Sequence, residues 1–413
     1  MTKLSTRTRA ALVVERIAST ASRRLGRGSG EMIGGKLALG VAPNALAEVT
    51  AHRPVACVSG TNGKTTTTRL LARALSTLGP VKTNGGGANM TPGVLAALAR
   101  PPYDAPAALE VDEIYLPKVA RQIRPRAPLL LNISRDQLDR SNETRRIAGL
   151  WRALGGELPG CTAVANCDDP LVTWAALGYE RQVWVAAGQS WTADAMVCPA
   201  CARLLHRDGA RWWCGCGLAR PQPAVRVVGP DGLEWRGRPV HPKLDLPGRV
   251  NLANAAMAAT AAELFGVGVD EALGAMSEVR DVQGRYRKVP LGPDRRARLL
   301  LAKNPAGWVE MMELLESAPP RPVVIDFNSR MADGRDPSWI WDVPFERLRG
   351  REVLVTGERK EDMSVRLAYA EVPHTVHADA EDAAAAASEP FVDVVANYTA
   401  FRDLLVRTTR DDP

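Results

Sequence analysis

Residues 55–78 constrain the fold more than any other part of the chain. Val55-Ala56-Cys57-Val58-Ser59 reads as a short buried strand and Gly60-Thr61-Asn62-Gly63 as a tight turn. From Lys64 a helix follows, with Leu70, Leu71, Ala74, Leu75 and Leu78 at helical spacing, and Gly79-Pro80 stops it. A strand that turns through glycines into a helix points backbone N–H groups outward, where they bind phosphate oxygens. Lys64 is then placed to reach the β- and γ-phosphates of ATP, and the Thr65 hydroxyl to ligate Mg²⁺. Gly60, Thr61, Asn62, Gly63, Lys64, Thr65 and Thr66 are the expected nucleotide-binding residues. The match to the full phosphate-loop pattern is partial, because Val58 stands where the pattern has its first glycine. An ordinary glycine-containing turn is the simpler alternative, and Gly-Lys-Thr-Thr after an apolar strand argues against it.

A phosphate loop needs an acidic residue after a second strand to complete its metal site. Ala108-Leu109-Glu110-Val111-Asp112-Glu113 is an apolar strand ending in carboxylates, and hard oxygen ligands suit Mg²⁺. Around it, strands at Ala107–Val111, Leu129–Ile133, Thr162–Asn166 and Val183–Ala187 alternate with helical segments. That alternation predicts an α/β domain with a doubly wound, mostly parallel sheet. The pattern breaks at about 190–245, which reads as a small insertion containing strand-like pieces such as Ala224–Val228. An Ala-rich helix, Asn251–Phe265, returns to the main domain. A second α/β series follows, with strands at Leu299–Ala302, Val323–Phe327, Val353–Thr356 and Val392–Ala396 and a helix at Asp379–Ser388. The expected organisation is a basic helical lead with a Gly-rich stretch (1–50), an ATP-binding domain (51–292) and a C-terminal α/β domain (293–413), divided at Leu291-Gly292-Pro293.

The chain has seven cysteines, an odd number that does not suit a disulfide framework and points to a reducing compartment. Four of them cluster inside the insertion. Cys198-x2-Cys201, twelve residues, then Cys214-x-Cys216 puts paired thiolates on two tight turns, the pattern of one tetrahedral Zn²⁺. All four positions are filled by protein, so the expected zinc is structural. His206 is a substitute ligand by residue type and is expected to be exposed. Cys57, Cys161 and Cys167 are isolated.

The net charge is +7, from 53 basic and 46 acidic residues. The N-terminal lead is strongly basic, with Lys3, Arg7, Arg9, Arg16, Arg23, Arg24, Arg27 and Lys36 against Glu15 and Glu31. A solvated helix face is the simpler reading and a membrane-surface patch the alternative. Arginines interrupt any signal-peptide core, and no apolar run approaches the roughly 18 residues of a membrane span. A cytoplasmic protein is expected.

Several motifs together resemble the Mur ligases: Gly60–Thr66, Glu110, Asn132–Asp139, Asn-Cys-Asp-Asp-Pro at 166–170, and Gly-Arg-Val-Asn-Leu-Ala-Asn-Ala at 248–255. Within that group the chain is most similar to the MurT family. The points of resemblance are Asn84–Met90, the glutamine at 137, the four-cysteine insertion and the block Ala332–Asp342. The family usually carries Asn-Asp-Asn where this chain has Asp326-Phe327-Asn328, and Pro337 is also unusual.

The resemblance implies a Mur ligase central domain, a zinc-ribbon insertion and a Rossmann-like C-terminal domain. It implies an enzyme that amidates the D-glutamate α-carboxylate of the lipid II stem peptide through an acyl phosphate. Lys64 would hold the transferring phosphate, and Glu110 with Thr65 the Mg²⁺. Asn251 and Asn254, three residues apart on one helix, would face the nucleotide or serve helix capping and packing. Arg285 would touch the nucleotide or lie on the surface. The chain has no Gly-x-Cys-x-Gly elbow for a glutaminase nucleophile. The resemblance therefore implies a separate GatD-like glutamine amidotransferase subunit, with Asp336 completing that partner's Cys-His pair. Lipid II as substrate leaves peripheral attachment at the inner face of the plasma membrane open. Two other readings stay open on sequence: a ligase that adds an amino acid, as folylpolyglutamate synthases do, and a zinc-ribbon nucleic-acid-binding ATPase. Against the second, no segment interleaves aromatic and basic residues, so no nucleic acid is expected.

Overall fold

Val55–Ser59 is buried at every position, as a strand covered on both faces must be. It is an interior strand of the first of two compact units in this computed structural model, which describes residues 4–25, 30–85, 87–136, 144–280, 286–292 and 294–410. The first unit holds the described residues up to Ile133 and those from 144 to Arg280. It begins with α1 (Thr6–Arg24), α2 (Glu31–Val41), α3 (Ala45–Thr50), β1 (Val55–Ser59), α4 (Lys64–Leu75), β2 (Lys82–Thr83), α5 (Thr91–Leu98) and β3 (Ala107–Glu110). It continues with α6 (Leu116–Ile123), β4 (Ala127–Leu130), α7 (Thr144–Glu157), β5 (Thr162–Asn166), α8 (Pro170–Ala176) and β6 (Arg181–Ala186). Strands β7 (His206–Asp208), β8 (Arg211–Trp213), β9 (Val225–Val228), β10 (Gly232–Trp235) and β11 (Arg238–Val240) follow, then α9 (Arg249–Glu263) and α10 (Val269–Met276).

The main sheet runs β11-β10-β9-β6-β5-β4-β1-β3-β2. It is parallel from β2 through β9, with β10 and β11 added antiparallel. The doubly wound expectation holds. The insertion, however, is smaller than 190–245. Val225–Val228 pairs with β6 and extends the main sheet, leaving only the β7–β8 hairpin and the cysteine turns outside it. Short strands interrupted by turns look alike on sequence whether they close a ribbon or lengthen a sheet edge.

The Gly-rich stretch also becomes regular structure. Residues 31–41 are helical because their glycines let other chain segments approach. A Cβ at Gly34 would lie 2.8 Å from the Glu15 carbonyl oxygen, and one at Gly35 would lie 1.9 Å from that of Pro92. Helix propensity is overridden here by close packing.

The second unit contains residues 134–136 and the described residues from 286 onward. Its elements are β12 (Tyr286–Pro290), β13 (Arg296–Leu301), α11 (Pro305–Glu316), β14 (Val323–Asp326), β15 (Val353–Thr356), α12 (Lys360–Tyr369), β16 (His374–Val376), α13 (Ala380–Ala386), β17 (Phe391–Ala396) and α14 (Tyr398–Arg410). The sheet order is β12-β13-β17-β14-β15-β16, parallel except for β12. Leu291-Gly292 lies in the β12–β13 hairpin, where Leu291 N–H donates to the Arg295 carbonyl at 3.0 Å. The glycine that suggested a domain boundary is a turn within the second unit. Phe327 is a core side chain packed edge-on against Trp339, ring centroids 5.6 Å apart.

Candidate functional site

Neighbouring parallel strands end on the same side of a sheet, so the loops that follow them meet. β1 and β3 are such neighbours, with Val58 opposite Glu110. The turn after β1 uses Gly60 at φ 151° and Gly63 at φ 81°. Side chains are excluded at both. A Cβ at Gly60 would meet the Leu131 Cβ at 2.8 Å, and one at Gly63 would meet Asn254 Oδ1 at 2.7 Å. The turn thus fits the phosphate cradle expected of it, and α4 starts directly behind it at Lys64.

The chain after β4 fastens this turn. Asn132 accepts from Asn62 N–H at 2.8 Å through Oδ1 and donates to the Asn62 carbonyl at 3.1 Å through Nδ2. Its own carbonyl accepts from Thr61 N–H at 3.0 Å. Asp169 braces the same chain exit, accepting from the N–H groups of Ile133, Leu171 and Val172. Burial nevertheless pushes the Asp169 carboxyl up to about 6, with those three donors opposing the rise.

Lys64 is buried, and its Nζ donates to Glu113 Oε2 at 2.8 Å and to the Gly60 and Thr61 carbonyls. Glu110 is buried nearby. Its backbone is clamped by Asn84, which accepts from Glu110 N–H at 2.8 Å and donates to the Glu110 carbonyl at 2.8 Å. Asn89 donates to the Glu110 carboxylate at 3.2 Å. The Asn84–Met90 loop is therefore the mount of the acidic strand end. On sequence Glu113 is only one of the carboxylates that end this strand, and Asn84 and Asn89 have no assigned contact. The signal of Asn84 and Asn89 is polar side chains bordering glycines, whose partners lie on another segment.

Asn254 accepts from the Thr67 hydroxyl at 3.1 Å, beside Gly63. Asn251 Nδ2 instead donates to the Pro247 carbonyl at 2.7 Å, at the start of its own helix. Thr65 is half-buried and Thr66 buried, in the first turn of α4. Arg285 lies outside the described residues, as do positions 137–139 of the quoted Mur motif.

The four cysteines come together. Cys198, Cys201, Cys214 and Cys216 have Sγ atoms all within 4.8 Å of one another, with Cys198–Cys216 at 3.7 Å and Cys201–Cys214 at 3.4 Å. Four thiolates about 2.3 Å from one Zn²⁺ need comparable spacings. Two tight turns hold them, one closing four residues on and the other three. Ala202 N–H donates to the Cys198 carbonyl at 2.9 Å, and Gly217 N–H to the Cys214 carbonyl at 3.0 Å. Trp212 docks the ribbon by donating Nε1–H to the Cys167 carbonyl at 3.0 Å. His206 is exposed and stacks on Trp213, not on the thiols. The remaining three thiols are buried, and burial pushes Cys161 and Cys167 up to about 12 and Cys57 further up, which disfavours the reactive thiolate.

In the second unit, Asp336 sits on the loop after β14 and is partly exposed. Ser338 N–H donates to its Oδ1 at 2.9 Å, which holds the carboxyl below its usual range. Asp333, on the same loop, is buried and accepts from Thr399 N–H at 2.8 Å. Asn328 likewise ties the loop down, with its Oδ1 accepting from Glu358 N–H at 3.0 Å. Asp336 is thus a surface carboxylate on a loop anchored from both sides.

Residues 58–195 match the Mur ligase middle domain, and residues 301–401 match the MurT ligase C-terminal family. The fold is similar to that of MurF from Acinetobacter baumannii, with TM-score 0.66 at 15% identity over 91% of this chain and 80% of that one. It is also similar to a pseudomurein peptide ligase type C from Methanothermus fervidus, with TM-score 0.67 at 19% identity over 88% and 81%. In sequence it is similar to the MurT subunit of the glutamine-hydrolysing lipid II isoglutaminyl synthase of Staphylococcus aureus (strain N315), 28% identical over 97% of both chains. The corresponding subunit of Streptococcus pneumoniae (strain ATCC BAA-255 / R6) is 30% identical over 83% of each chain. With a Mur middle domain, a MurT C-terminal region and this extent of identity, the chain belongs to the MurT family of Mur ligases.

Proposed function

We propose that this chain is the synthetase subunit of a lipid II isoglutaminyl synthase, amidating the D-glutamate α-carboxylate of the stem peptide at the expense of ATP. The observation that carries the reading is the pairing of a glycine cradle after β1 with a buried carboxylate cluster after β3, joined by the Lys64–Glu113 ion pair. The named activity of its relatives supplies the substrate class.

A carboxylate is a poor electrophile. Transfer of the γ-phosphoryl group to it yields an acyl phosphate and ADP, and ammonia then displaces phosphate to leave the amide. Backbone N–H groups at the start of α4, behind a turn whose Thr61 and Asn62 N–H groups are held by Asn132, face the phosphates, and Lys64 follows the transferring group. Thr65 and Glu110 are the side chains that would hold Mg²⁺, which neutralises charge on the phosphates. Asn254 braces the cradle at Gly63, whereas Asn251 serves chiefly the start of α9. Arg285 remains a nucleotide-contact candidate on the strength of the resemblance. The four-cysteine ribbon would hold a structural Zn²⁺.

Ammonia comes from a GatD-like glutaminase subunit. In support, the three cysteines outside the ribbon are buried with raised thiols, which is the wrong environment for a nucleophile. Asp336, accessible and ionised, suits the task of orienting a partner's histidine. The testing experiment is reconstitution of the chain with a glutaminase subunit, ATP, glutamine and lipid II. Formation of D-isoglutamine with one ADP per amide is expected. Incorporation of an amino acid instead of ammonia would reassign the chain to the amino-acid-adding ligases.

A further inference from the structure

The N-terminal helical hairpin is built the wrong way round for helices that face only water. α1 buries Thr8, Ala11, Leu12, Glu15, Ser19 and Ser22, a mostly small and polar seam in which the Ser19 hydroxyl donates to Glu15 Oε1 at 2.7 Å. Leu12 is its one large aliphatic residue in that seam, whereas Val13 and Ile17 point the other way, 55% and 64% exposed. α2 repeats the pattern. Gly34, Gly35 and Ala38 are buried, while Ile33 and Leu37 are each 50% exposed. An ordinary surface helix buries its aliphatic stripe and exposes its polar one.

The charge on this surface is one-sided. Arg9, Arg16 and Arg24 are exposed on α1, and Lys36 is exposed on α2. The acids of the two helices do not offset them, since Glu15 is buried in the seam and Glu31 is half-buried. A merely solvated basic face would have no use for aliphatic residues among its arginines. Aliphatic residues flanked by cations match a helix lying in the boundary of an anionic bilayer, with alkyl groups among the acyl chains and arginines on lipid phosphates. Among the described residues no helix is long and apolar enough to cross a membrane, so the contact is one of lying on the surface. A protein partner or a second copy would cover the aliphatic residues without requiring the basic rim.

We propose that the α1–α2 hairpin docks this chain peripherally on an anionic lipid surface. The inference is independent of the amidation reading, because its test reads binding alone. The full chain, with and without its glutaminase subunit, is sedimented with vesicles of phosphatidylcholine plus phosphatidylglycerol and with vesicles of pure phosphatidylcholine. Binding to the anionic vesicles only, weakened by salt, is expected. Val13→Asp with Ile17→Asp should lower the partition coefficient roughly tenfold or more. Arg9→Gln, Arg16→Gln and Arg24→Gln should lower it roughly fivefold for each cation removed. Val13→Ser with Ile17→Ser serves the same purpose should the aspartates disturb folding. The proposal is overturned if the chain ignores anionic vesicles, or if these variants bind as the parent does. It is equally overturned if the glutaminase subunit displaces the vesicles, making the face a protein interface. Self-association abolished by Val13→Asp and Ile17→Asp, without vesicle binding, would assign the face to a second copy.

Discussion

Lys64 and Glu113 form a buried ion pair, with Nζ 2.8 Å from Oε2, linking the phosphate loop to the acidic segment after the neighbouring strand. Because each is the other's counter-charge, their substitutions should not be additive. Lys64→Met and Glu113→Gln in a double-mutant cycle should show a coupling of about 0.5–3 kcal/mol in denaturant unfolding. Lys64→Met alone should lower ATP-dependent amidation roughly a hundredfold or more, because the proposed reaction has Lys64 follow the transferring phosphoryl group. Near-normal turnover in a folded Lys64→Met protein would remove Lys64 from the chemistry.

Asp336 separates the two halves of the proposed reaction. Asp336→Asn in the reconstituted complex should cut glutamine hydrolysis by up to about 10⁴-fold, since the partner's histidine loses the acceptor that sets its tautomer. Ammonium at high concentration should restore amidation, whereas Lys64→Met should show no such rescue. Normal glutamine hydrolysis by Asp336→Asn would sink the shared triad. Failure with both nitrogen sources would place Asp336 in the ligase site or the fold.

Metal analysis should find one zinc per chain, lost when Cys198→Ser and Cys201→Ser are combined. A structural zinc site contributes folding free energy, so the melting temperature should fall with it. Absence of stoichiometric metal from protein purified without chelator would be decisive against the four-cysteine site.

Asp326 gives a pH signature. Burial raises its carboxyl from the ordinary 3.8 to about 6, with partial relief from Arg407 and Arg330. The folded state therefore holds this proton more tightly than the unfolded one. The group favours folding most when protonated, below about pH 4, and that advantage is lost as pH rises towards 6. Asp326→Asn should raise stability at pH 7–8 by up to about 3 kcal/mol and change little near pH 4. The same gain at both pH values would show that the ionised carboxylate is not strained.

The strands and helices nearest the motifs were legible because their signals are local. The phosphate turn, the Ala-rich α9 and the buried strands β1, β5 and β15 declare themselves within a few residues. The hairpin at Leu291-Gly292 and the main-sheet strand at Val225–Val228 were misplaced, because a turn or short strand carries no record of which sheet it joins. Helix α2 was hidden by its glycines, whose purpose is visible only in the backbones of Glu15 and Pro92.

By itself the sequence determined which chemistry is available: a glycine turn before Lys64, carboxylates after a strand, four thiols on two turns and a carboxylate at 336. These follow from residue type and short spacing, where backbone geometry leaves few choices. Only the tertiary structure decided which of these groups meet. It put Asn254 against Thr67 across 187 residues, Glu113 on Lys64 across 49, and the Asn132 side chain on the phosphate loop across 70. It also turned Val13 and Ile17 of α1 outward. Such contacts depend on the register of distant strands and on the packing of whole layers, and no local pattern encodes either.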